Sequence, residues 1–231
     1  MKQSKGRPAG RTAVVAGASG LVGRAVLRRL LRQPAYQSIV ALTRRPLGLD
    51  SRVREVPAHF DNLGNVLASV ARTAVVDAYC CLGTTMKAAG SQAAFRRVDH
   101  DYVLAFGKWA AERGAHRLIV VSALGAAAGS PVLYNRVKGE TEDALRGLRI
   151  PLVLTRPSLL DGPRTEHRPG EALALALTRP LRRLLPAKIR PVSVEDVAQS
   201  MIDAALSSQP EPLVTSAAMQ GAAARADQRS A

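Results

Sequence analysis

Short runs of apolar and β-branched residues alternate along the chain with longer segments of helical periodicity. The apolar runs predict six strands, at 12–16, 38–43, 53–57, 75–80, 117–122 and 152–156. Apolar positions spaced three and four residues apart predict helices between them, at 21–33, 62–72, 91–113 and 133–147. Beyond residue 156 the pattern predicts two more helices, at 171–185 and 194–206, the second beginning behind Ser193.

The predicted strands lack the polar alternation that is typical of a half-exposed sheet, which indicates burial on both faces. Strand–helix repeats with right-handed crossovers then predict an α/β fold: a doubly wound parallel sheet in a Rossmann-like three-layer sandwich, with a small C-terminal substrate-side extension. We expect a single domain over residues 1–231, with a core at about 12–208. The segment 216–231, rich in Ala, Gln, Gly and Arg, is predicted to be a flexible tail.

The net charge first suggests a nucleic-acid partner, because 33 Lys and Arg outnumber 18 Asp and Glu to give +15. Aromatic residues make up only 3% of the chain, which leaves few rings for stacking on bases. No helix-turn-helix or zinc-finger motif is present in the sequence. We therefore expect a small-molecule substrate and no nucleic-acid partner.

Membrane, metal and redox classes are also disfavoured by the sequence. No apolar stretch approaches the roughly 18–20 residues that a membrane span requires, so no membrane partner is expected. The four histidines lack metal-ligand spacing, so no metal site is predicted. Cys80 and Cys81 are adjacent and cannot form a disulfide framework, which predicts a reducing compartment and a cytoplasmic location.

A glycine-rich turn, GASGLVG at 17–23, joins the first predicted strand to the first predicted helix. Gly17 permits a tight turn, Gly20 lets the backbone approach a pyrophosphate, and Gly23 lets the helix pack closely on the strand. A helix N-terminus also presents free N–H groups to phosphates, so the turn predicts a dinucleotide site. The candidate cofactor-binding residues here are Gly17, Ser19, Gly20, Leu21, Val22 and Gly23.

Two arginines, Arg44 and Arg45, follow the second predicted strand, where NAD sites usually carry an acid for the ribose 2′-hydroxyl. No acid appears until Asp50. Because arginine accommodates a 2′-phosphate, the predicted cofactor is NADP (NADPH), with NAD the less favoured alternative. Arg24 is a further candidate, since a cation in the first helical turn opposes the helix dipole unless an anion is bound.

The candidate catalytic residues are Ser122, Tyr134 and Lys138. Tyr134 and Lys138 stand four residues apart on a predicted helix and so share one face. Ser122 ends the fifth predicted strand, where α/β sheets present functional groups. An ammonium close to a phenol favours the phenolate, so Tyr134 is predicted to exchange a proton with substrate while Ser122 holds the reacting oxygen.

These motifs together resemble the short-chain dehydrogenase/reductase superfamily, in its atypical or extended branch. Within that branch the chain is similar to the oxidoreductase-like proteins related to the human Tat-interacting protein. The resemblance spans about residues 12–208. It is carried by the glycine turn at 17–23, CCLGTT at 80–85, SALGA at 122–126, YNRVKGE at 134–140 and RPS at 156–158.

The resemblance implies Tyr134 as acid/base, Lys138 binding the nicotinamide ribose and Ser122 orienting substrate. It also implies cofactor contacts at other positions: Asp61 near adenine, Cys81, Leu82, Gly83 and Thr84 on the ribose side, and Pro157 and Ser158 near the nicotinamide carboxamide. At one position the chain departs from the pattern. Extended members often carry Asn on the helix before the fifth strand, whereas this chain offers Asp99, so a proton relay through that Asn does not carry over.

The leading hypothesis is an NADP-dependent oxidoreductase that transfers hydride between nicotinamide and a small carbonyl or alcohol. An NADPH-binding regulatory protein with little or no turnover is the alternative, and an epimerase or dehydratase that retains its cofactor is the third. The chain is expected to be a monomer or a homodimer, because segments 91–113 and 133–147 form dimer faces in relatives. The sequence does not identify the substrate.

Overall fold

A parallel sheet covered by helices on both faces forms the centre of the protein. The computed structural model describes residues 10–61, 75–162 and 185–229. Its strands are β1 (Arg11–Ala16), β2 (Tyr36–Thr43), β3 (Val53–Pro57), β4 (Val75–Cys80), β5 (Arg117–Val121), β6 (Leu152–Arg156), β7 (Leu160–Asp161), β8 (Val192–Ser193) and β9 (Leu213–Thr215). Its helices are α1 (Leu21–Leu30), α2 (Met86–Ala89), α3 (Gln92–Arg96), α4 (Tyr102–Glu112), α5 (Leu133–Arg146), α6 (Val194–Leu206), α7 (Ser216–Met219) and α8 (Ala222–Arg229).

The strand order of the main sheet is β3-β2-β1-β4-β5-β6-β9, and each neighbouring pair is parallel. The direction in which the chain adds strands reverses between β1 and β4, so a crevice opens beyond the carboxyl ends of these two strands. The predicted doubly wound, Rossmann-like α/β fold is confirmed. In the C-terminal region, β7 and β8 form a separate two-stranded sheet, while β9 joins the edge of the main sheet.

The side chains of β1 show why the sheet is buried on both faces. Ala13 and Val15 belong to a core cluster that also contains residues of α1 and α6. Val14 and Ala16, which point the other way, belong to a second cluster with residues of α4 and α5. Because successive strand residues face opposite sides of a sheet, an apolar run without polar alternation forms this central strand.

Most predicted elements lie at or near their predicted bounds. The strands at 53–57, 75–80 and 152–156 and the helix at 194–206 have the predicted limits. α1 ends at Leu30 rather than at residue 33, because Pro34 follows and disfavours helical backbone before it. The helices predicted at 62–72 and 171–185 lie outside the described residues.

The helix predicted at 91–113 is interrupted. It is divided into α3, a π-helical turn at Arg97–Asp101, and α4. A π turn inserts one extra residue and thereby changes which side chains face inward. Here the change brings Asp99 into the interior with no exposed surface.

The structure of the C-terminal segment differs from the flexible tail that was predicted at 216–231. Its described residues form α7 and α8, and Met219 and Ser216 are buried. Asp227 of α8 forms an ion pair with Arg29 of α1 at 2.9 Å, so the tail packs on the same helical layer as α6. The Ala-rich composition that suggested fraying instead supplies small side chains for close helix packing.

Candidate functional site

The glycine turn at 17–23 forms the floor of the crevice beside β4. Gly17 has a positive φ of 80°, and a Cβ there would lie 2.5 Å from the carbonyl carbon of Cys81. A Cβ on Gly23 would lie 2.2 Å from the oxygen of Gly17. Only glycine fits these two positions, because the turn, the next strand and the helix approach one another through bare backbone.

The N-terminus of α1 is arranged to receive an anion. Gly20 is its N-cap and has no side chain to cap the first amides, and no acidic residue occupies the first turn. The amides of Leu21, Val22 and Gly23 therefore have no capping side chain or intrahelical acceptor, and the helix dipole adds positive potential. Arg24 Nε donates to the carbonyl of Ser19 at 3.1 Å, which holds a cation at the mouth of the same turn. This set of donors fits the pyrophosphate of a dinucleotide.

Arg44 and Arg45 are exposed directly after β2, the strand next to β1. Nearby acids are engaged elsewhere. Glu55 accepts the amides of Leu47 and Leu49 at 2.7 and 2.9 Å, and Asp50 pairs with Arg52 at 2.9 Å. Within the described ranges neither Arg44 nor Arg45 has an ion pair, so the charge free at this strand end is positive.

Asp61 lies on the surface after β3, and both of its carboxylate oxygens are already engaged. Arg97 Nη2 donates to Oδ1 at 2.7 Å, and the hydroxyl of Tyr102 donates to Oδ2 at 3.0 Å. The hydrogen bonds from Arg97 and Tyr102 hold the pKa of Asp61 below its usual range. These hydrogen bonds connect the end of β3 to the start of α4. Asp61 therefore holds this loop in position, whether or not it also contacts a ligand.

The loop after β4 crosses the crevice. Cys81 N donates to Ala16 O at 2.8 Å, so the loop leaves the sheet beside the glycine turn. Leu82 is buried and Gly83 is exposed above it. Thr84 N donates to Asp99 Oδ2 at 2.7 Å. The residues predicted to line the ribose side, Cys81 to Thr84, are therefore brought against the glycine turn on one side and Asp99 on the other.

The thiols of the cysteine pair are not reactive groups. Burial raises the pKa of Cys80 to about 12 and also raises that of Cys81. A raised pKa disfavours the thiolate, which is the form that reacts. Both cysteines therefore act as small packing residues beside the crevice.

Tyr134 and Lys138 lie on one face of α5. Tyr134 is 37% exposed, and its ring packs against Phe95 with centroids 5.7 Å apart. Lys138 is buried, and its Nζ lies 2.8 Å from Asp99 Oδ1. Burial alone disfavours the charged form of Lys138, but the carboxylate of Asp99 reverses this and places the pKa of Lys138 above its ordinary value.

Ser122 lies beyond the last residue of β5, and its hydroxyl donates to Glu142 Oε1 at 2.5 Å. Glu142 also accepts from Arg156 Nε at 2.8 Å and pairs with Arg146 at 2.9 Å. Burial opposes ionisation, but the hydrogen bonds from Arg156 and Ser122 outweigh it and lower the pKa of Glu142. Ser122 is thus brought near Lys138 but is committed to a buried carboxylate.

A cavity of about 10 Å³ is lined by residues of both groups, Asp99 and Lys138 together with Ser122 and Glu142. This volume is enough for about one water molecule. Sequence reasoning assigned no role to Glu142 or Arg156. The available signal was the spacing of Glu142, which lies four residues after Lys138 and eight after Tyr134 on the same helix face.

Pro157 and Ser158 follow β6 at the same edge of the sheet. Pro157 is buried, and its carbonyl accepts the amide of Leu124 at 2.8 Å. Ser158 Oγ donates to Arg190 O at 2.5 Å and accepts from Ser216 Oγ at 2.9 Å. These bonds attach the end of β6 to the loop after β5 and to the C-terminal region, which closes the far side of the crevice.

The parts of the chain that the structure describes contain no group of three or more His, Cys, Asp or Glu side chains placed to hold a metal ion. They also contain no helix that is long and apolar enough to cross a membrane.

Several known proteins are similar to this chain in sequence. A model of the NAD dependent epimerase/dehydratase family matches residues 13–201. Protein HTATIP2 of Rattus norvegicus is 34% identical over 165 residues, which cover 69% of this chain and 67% of that protein. Protein FMP52, mitochondrial, of Candida albicans is 31% identical over 195 residues, which cover 82% of this chain and 85% of that protein.

A solved structure extends the likeness to the fold. The Bordetella bronchiseptica enzyme WbmG in complex with NAD has a TM-score of 0.66 and 15% identity, covering 93% of this chain and 75% of that chain. At this identity the likeness shows the fold alone.

The comparisons correct one prediction. The sequence predicted a cytoplasmic location, but FMP52 relatives at 31% to 34% identity are named mitochondrial. The cysteine usage that led to the prediction reports a reducing environment and does not distinguish one reducing compartment from another.

The family match contains every motif on which the resemblance rested, from the glycine turn at 17–23 to the strand end at 156–158. The predicted resemblance to the extended branch is confirmed by this match and by the HTATIP2 relative. The chain belongs to the NAD-dependent epimerase/dehydratase family, a family of oxidoreductase type.

Proposed function

We propose that the protein is an NADP-dependent oxidoreductase acting on a small carbonyl or alcohol, with Tyr134 as the acid/base. The observation that carries the proposal is the pairing of an exposed Tyr134 with a buried, charged Lys138 one helical turn away. Both lie at the carboxyl edge of the sheet, beside the loop that crosses from β4. Exposure lets the hydroxyl of Tyr134 meet a substrate and exchange a proton with it, while Lys138 supplies a cation on the same helix face.

The residues of the crevice fit a dinucleotide. The bare amides of Leu21, Val22 and Gly23 suit a pyrophosphate, and the guanidinium groups of Arg44 and Arg45, which are exposed and have no ion pair among the described residues, suit a 2′-phosphate. Bound nicotinamide would supply hydride chemistry that no amino-acid side chain provides. In this proposal Lys138 faces the nicotinamide ribose, and Pro157 and Ser158 border the carboxamide.

Proton transfer falls to Tyr134. Its hydroxyl donates to the oxygen of a carbonyl substrate during reduction and accepts the proton of an alcohol during oxidation. Ser122 contributes less than the resemblance implies. Its single proton is donated to Glu142, so in this geometry it can accept a hydrogen bond from substrate but not donate one.

The test begins with titrations of NADPH and NADH, with nicotinamide fluorescence as the readout. It continues with turnover on a panel of small aldehydes and ketones. Tyr134→Phe keeps the ring against Phe95 and removes only the hydroxyl. We expect wild type and Tyr134→Phe to bind NADPH alike, with turnover at least about 10²-fold lower in the variant. Equal turnover in both proteins would contradict the role given to Tyr134.

A second candidate is favoured by the position of Ser122. A site whose serine proton is committed to Glu142 can hold NADPH without a complete set of substrate donors. Such a protein would act as an NADPH-binding regulator, with turnover incidental or absent. Tight NADPH binding together with no consumption of NADPH on any carbonyl of the panel would support this candidate over the oxidoreductase.

A further inference from the structure

Asp99 occupies an unusual place in the backbone. It lies in the π-helical turn Arg97–Asp101, between α3 and α4, and its side chain is fully buried. Turns of this kind are rare and often occur at functional positions. Thr141 Oγ1 lies 3.0 Å from the backbone oxygen of Asp99 and 2.7 Å from that of Val137, so the turn is in contact with α5.

The two carboxylate oxygens of Asp99 have different partners. Oδ1 lies 2.8 Å from the Nζ of Lys138, and Oδ2 accepts the amide of Thr84 at 2.7 Å. One side chain therefore connects the catalytic helix α5 to the loop that crosses the crevice from β4. Gly83 passes directly over the pair, since a Cβ there would lie 3.3 Å from Asp99 Oδ1 and 3.6 Å from Lys138 Nζ.

The burial of this pair makes each partner dependent on the other. A buried ammonium without a counter-ion tends to lose its proton, and a buried carboxylate without one is equally unfavourable. The other groups that act on Lys138 are Tyr134 and the thiol of Cys80, and Glu142 lines the same small cavity. Of these groups, Asp99 alone is within ion-pair distance of Lys138 among the described residues.

We propose that Asp99 is a positioning residue that acts through Lys138 and Thr84. Its carboxylate locks the ammonium of the catalytic helix to the backbone of the cofactor-side loop, so the two sides of the site are fixed to each other before a ligand binds. The proposal deepens the proposed function and rests on it for the role of Lys138. An aspartate at this position supplies the counter-charge of the buried lysine, which a neutral side chain would not do.

Lys138 Nζ lies within ion-pair distance of Asp99 Oδ1 and carries three N–H donors as an ammonium, against two as a neutral amine. Loss of the proton removes the positive charge and one of these donors, which would otherwise serve a ribose beside Tyr134. Asp99 thus extends to higher pH the range in which the site keeps its positive charge.

Two variants separate the charge of Asp99 from its hydrogen bond. Asp99→Asn removes the charge but keeps an oxygen that can accept the Thr84 amide, whereas Asp99→Ala removes both. Asp101→Asn is the matched control, because Asp101 lies in the same π turn, is exposed and pairs with its neighbour His100 at 2.7 Å. The three proteins are compared with wild type in NADPH titrations at pH 7 and pH 9 and in amide hydrogen exchange.

The expected results are specific for each variant. Between pH 7 and pH 9, Asp99→Asn should lose about tenfold or more in NADPH affinity, while wild type and Asp101→Asn change by less than about threefold. The Thr84 amide should exchange about tenfold faster in Asp99→Ala and stay protected in Asp99→Asn. Wild-type pH dependence in Asp99→Asn, or unchanged exchange at Thr84 in Asp99→Ala, would overturn the proposal.

A third arm does not depend on any cofactor. Lys138→Met leaves Asp99 as an unpaired buried charge, so its melting temperature should fall, and adding Asp99→Asn should restore most of the loss. If wild type fails to bind NADPH, the proposed function fails, yet this arm and the exchange measurement still test the link. If NADPH binds and the double variant shows no recovery, the positioning role fails while the proposed function stands.

Discussion

Ser122 donates its hydroxyl proton to Glu142 across 2.5 Å, and this bond joins the end of β5 to the helix that carries Tyr134 and Lys138. Glu142 is almost fully buried and is neutralised by Arg156 on β6. The same carboxylate therefore connects two neighbouring strands to α5. A residue expected to contact substrate is thus part of the framework that positions α5.

Replacement of Glu142 by Gln should make stability less dependent on pH. The pKa of Glu142 is lowered by Arg156 and Ser122, so its contribution is present above its ordinary value of 4.5 and is lost as pH falls through the lowered value. At pH 7 Glu142→Gln should cost about 2 kcal/mol of unfolding free energy, because Arg156 loses its partner. Urea unfolding between pH 3 and 7 measures the difference, which should shrink toward the acid end.

Asp143→Asn is the matched control for this prediction, since Asp143 is an exposed neighbour that pairs with Arg146. It should change stability by less than about 0.5 kcal/mol at each pH. A constant difference between wild type and Glu142→Gln across the range would show that Glu142 is not stabilised as the anion.

Gly17 and Gly48 offer a comparison between strain and collision. Both have positive φ, but a Cβ on Gly17 meets Cys81 backbone at 2.5 Å, whereas nothing lies within 4 Å of one on Gly48. Gly48→Ala should cost about 1 kcal/mol for the left-handed backbone alone. Gly17→Ala should cost at least about 2 kcal/mol more and weaken NADPH binding, because the turn and the β4 loop must move apart. Urea unfolding of both variants tests this, and equal losses would contradict the close approach.

The arginine pair should set cofactor preference. Substituting both Arg44 and Arg45 by Ala removes the free positive charge after β2, so NADPH affinity should fall about 10- to 100-fold, with NADH affinity changed by less than about threefold. Arg149→Ala serves as control because Arg149 is exposed before β6, at the opposite edge of the sheet. Fluorescence titration of both nucleotides gives the comparison. Parallel losses for NADPH and NADH would assign the pair to the shared pyrophosphate instead.

A buried network near the amino ends of the strands should affect stability but not the binding of NADPH at the candidate site. Asp77 is fully buried and accepts from Arg11 at 2.8 Å and from the hydroxyl of Tyr36 at 2.8 Å. Asp77→Asn should cost about 3 kcal/mol, since Arg11 is left without its charge partner. NADPH affinity, measured under conditions where both proteins are fully folded, should be unchanged, because the candidate site lies at the carboxyl ends of the strands. A loss below about 0.5 kcal/mol would contradict a structural role for the pair.

Much of the fold followed from local pattern, and the exceptions have a physical cause. The runs at 53–57, 75–80 and 152–156 were predicted with correct limits because a buried parallel strand is apolar along its whole length. The π turn at Arg97–Asp101 was not predicted. Helical periodicity surrounds it, and only contacts from Thr84, Lys138 and Thr141 show why the turn widens.

The candidate site, too, could be predicted only in part. The glycine turn could be predicted because its chemistry is local, and the structure brings it against Cys81 as the strand order requires. The role of Glu142 could not be predicted, because a charged helical residue usually faces solvent. Its partners, Ser122 and Arg156, come from two different strand ends and meet it only in the folded chain.

Deuterium transfer tests the central claim most directly. Wild-type protein is mixed with NADPH that carries deuterium at the transferable position of the nicotinamide ring, together with the carbonyl panel, and the products are examined by mass spectrometry. The account predicts an alcohol with one deuterium on the former carbonyl carbon, and a yield at least about 10²-fold lower with Tyr134→Phe. Tight NADPH binding with no deuterium in any product would contradict the oxidoreductase and leave the regulator.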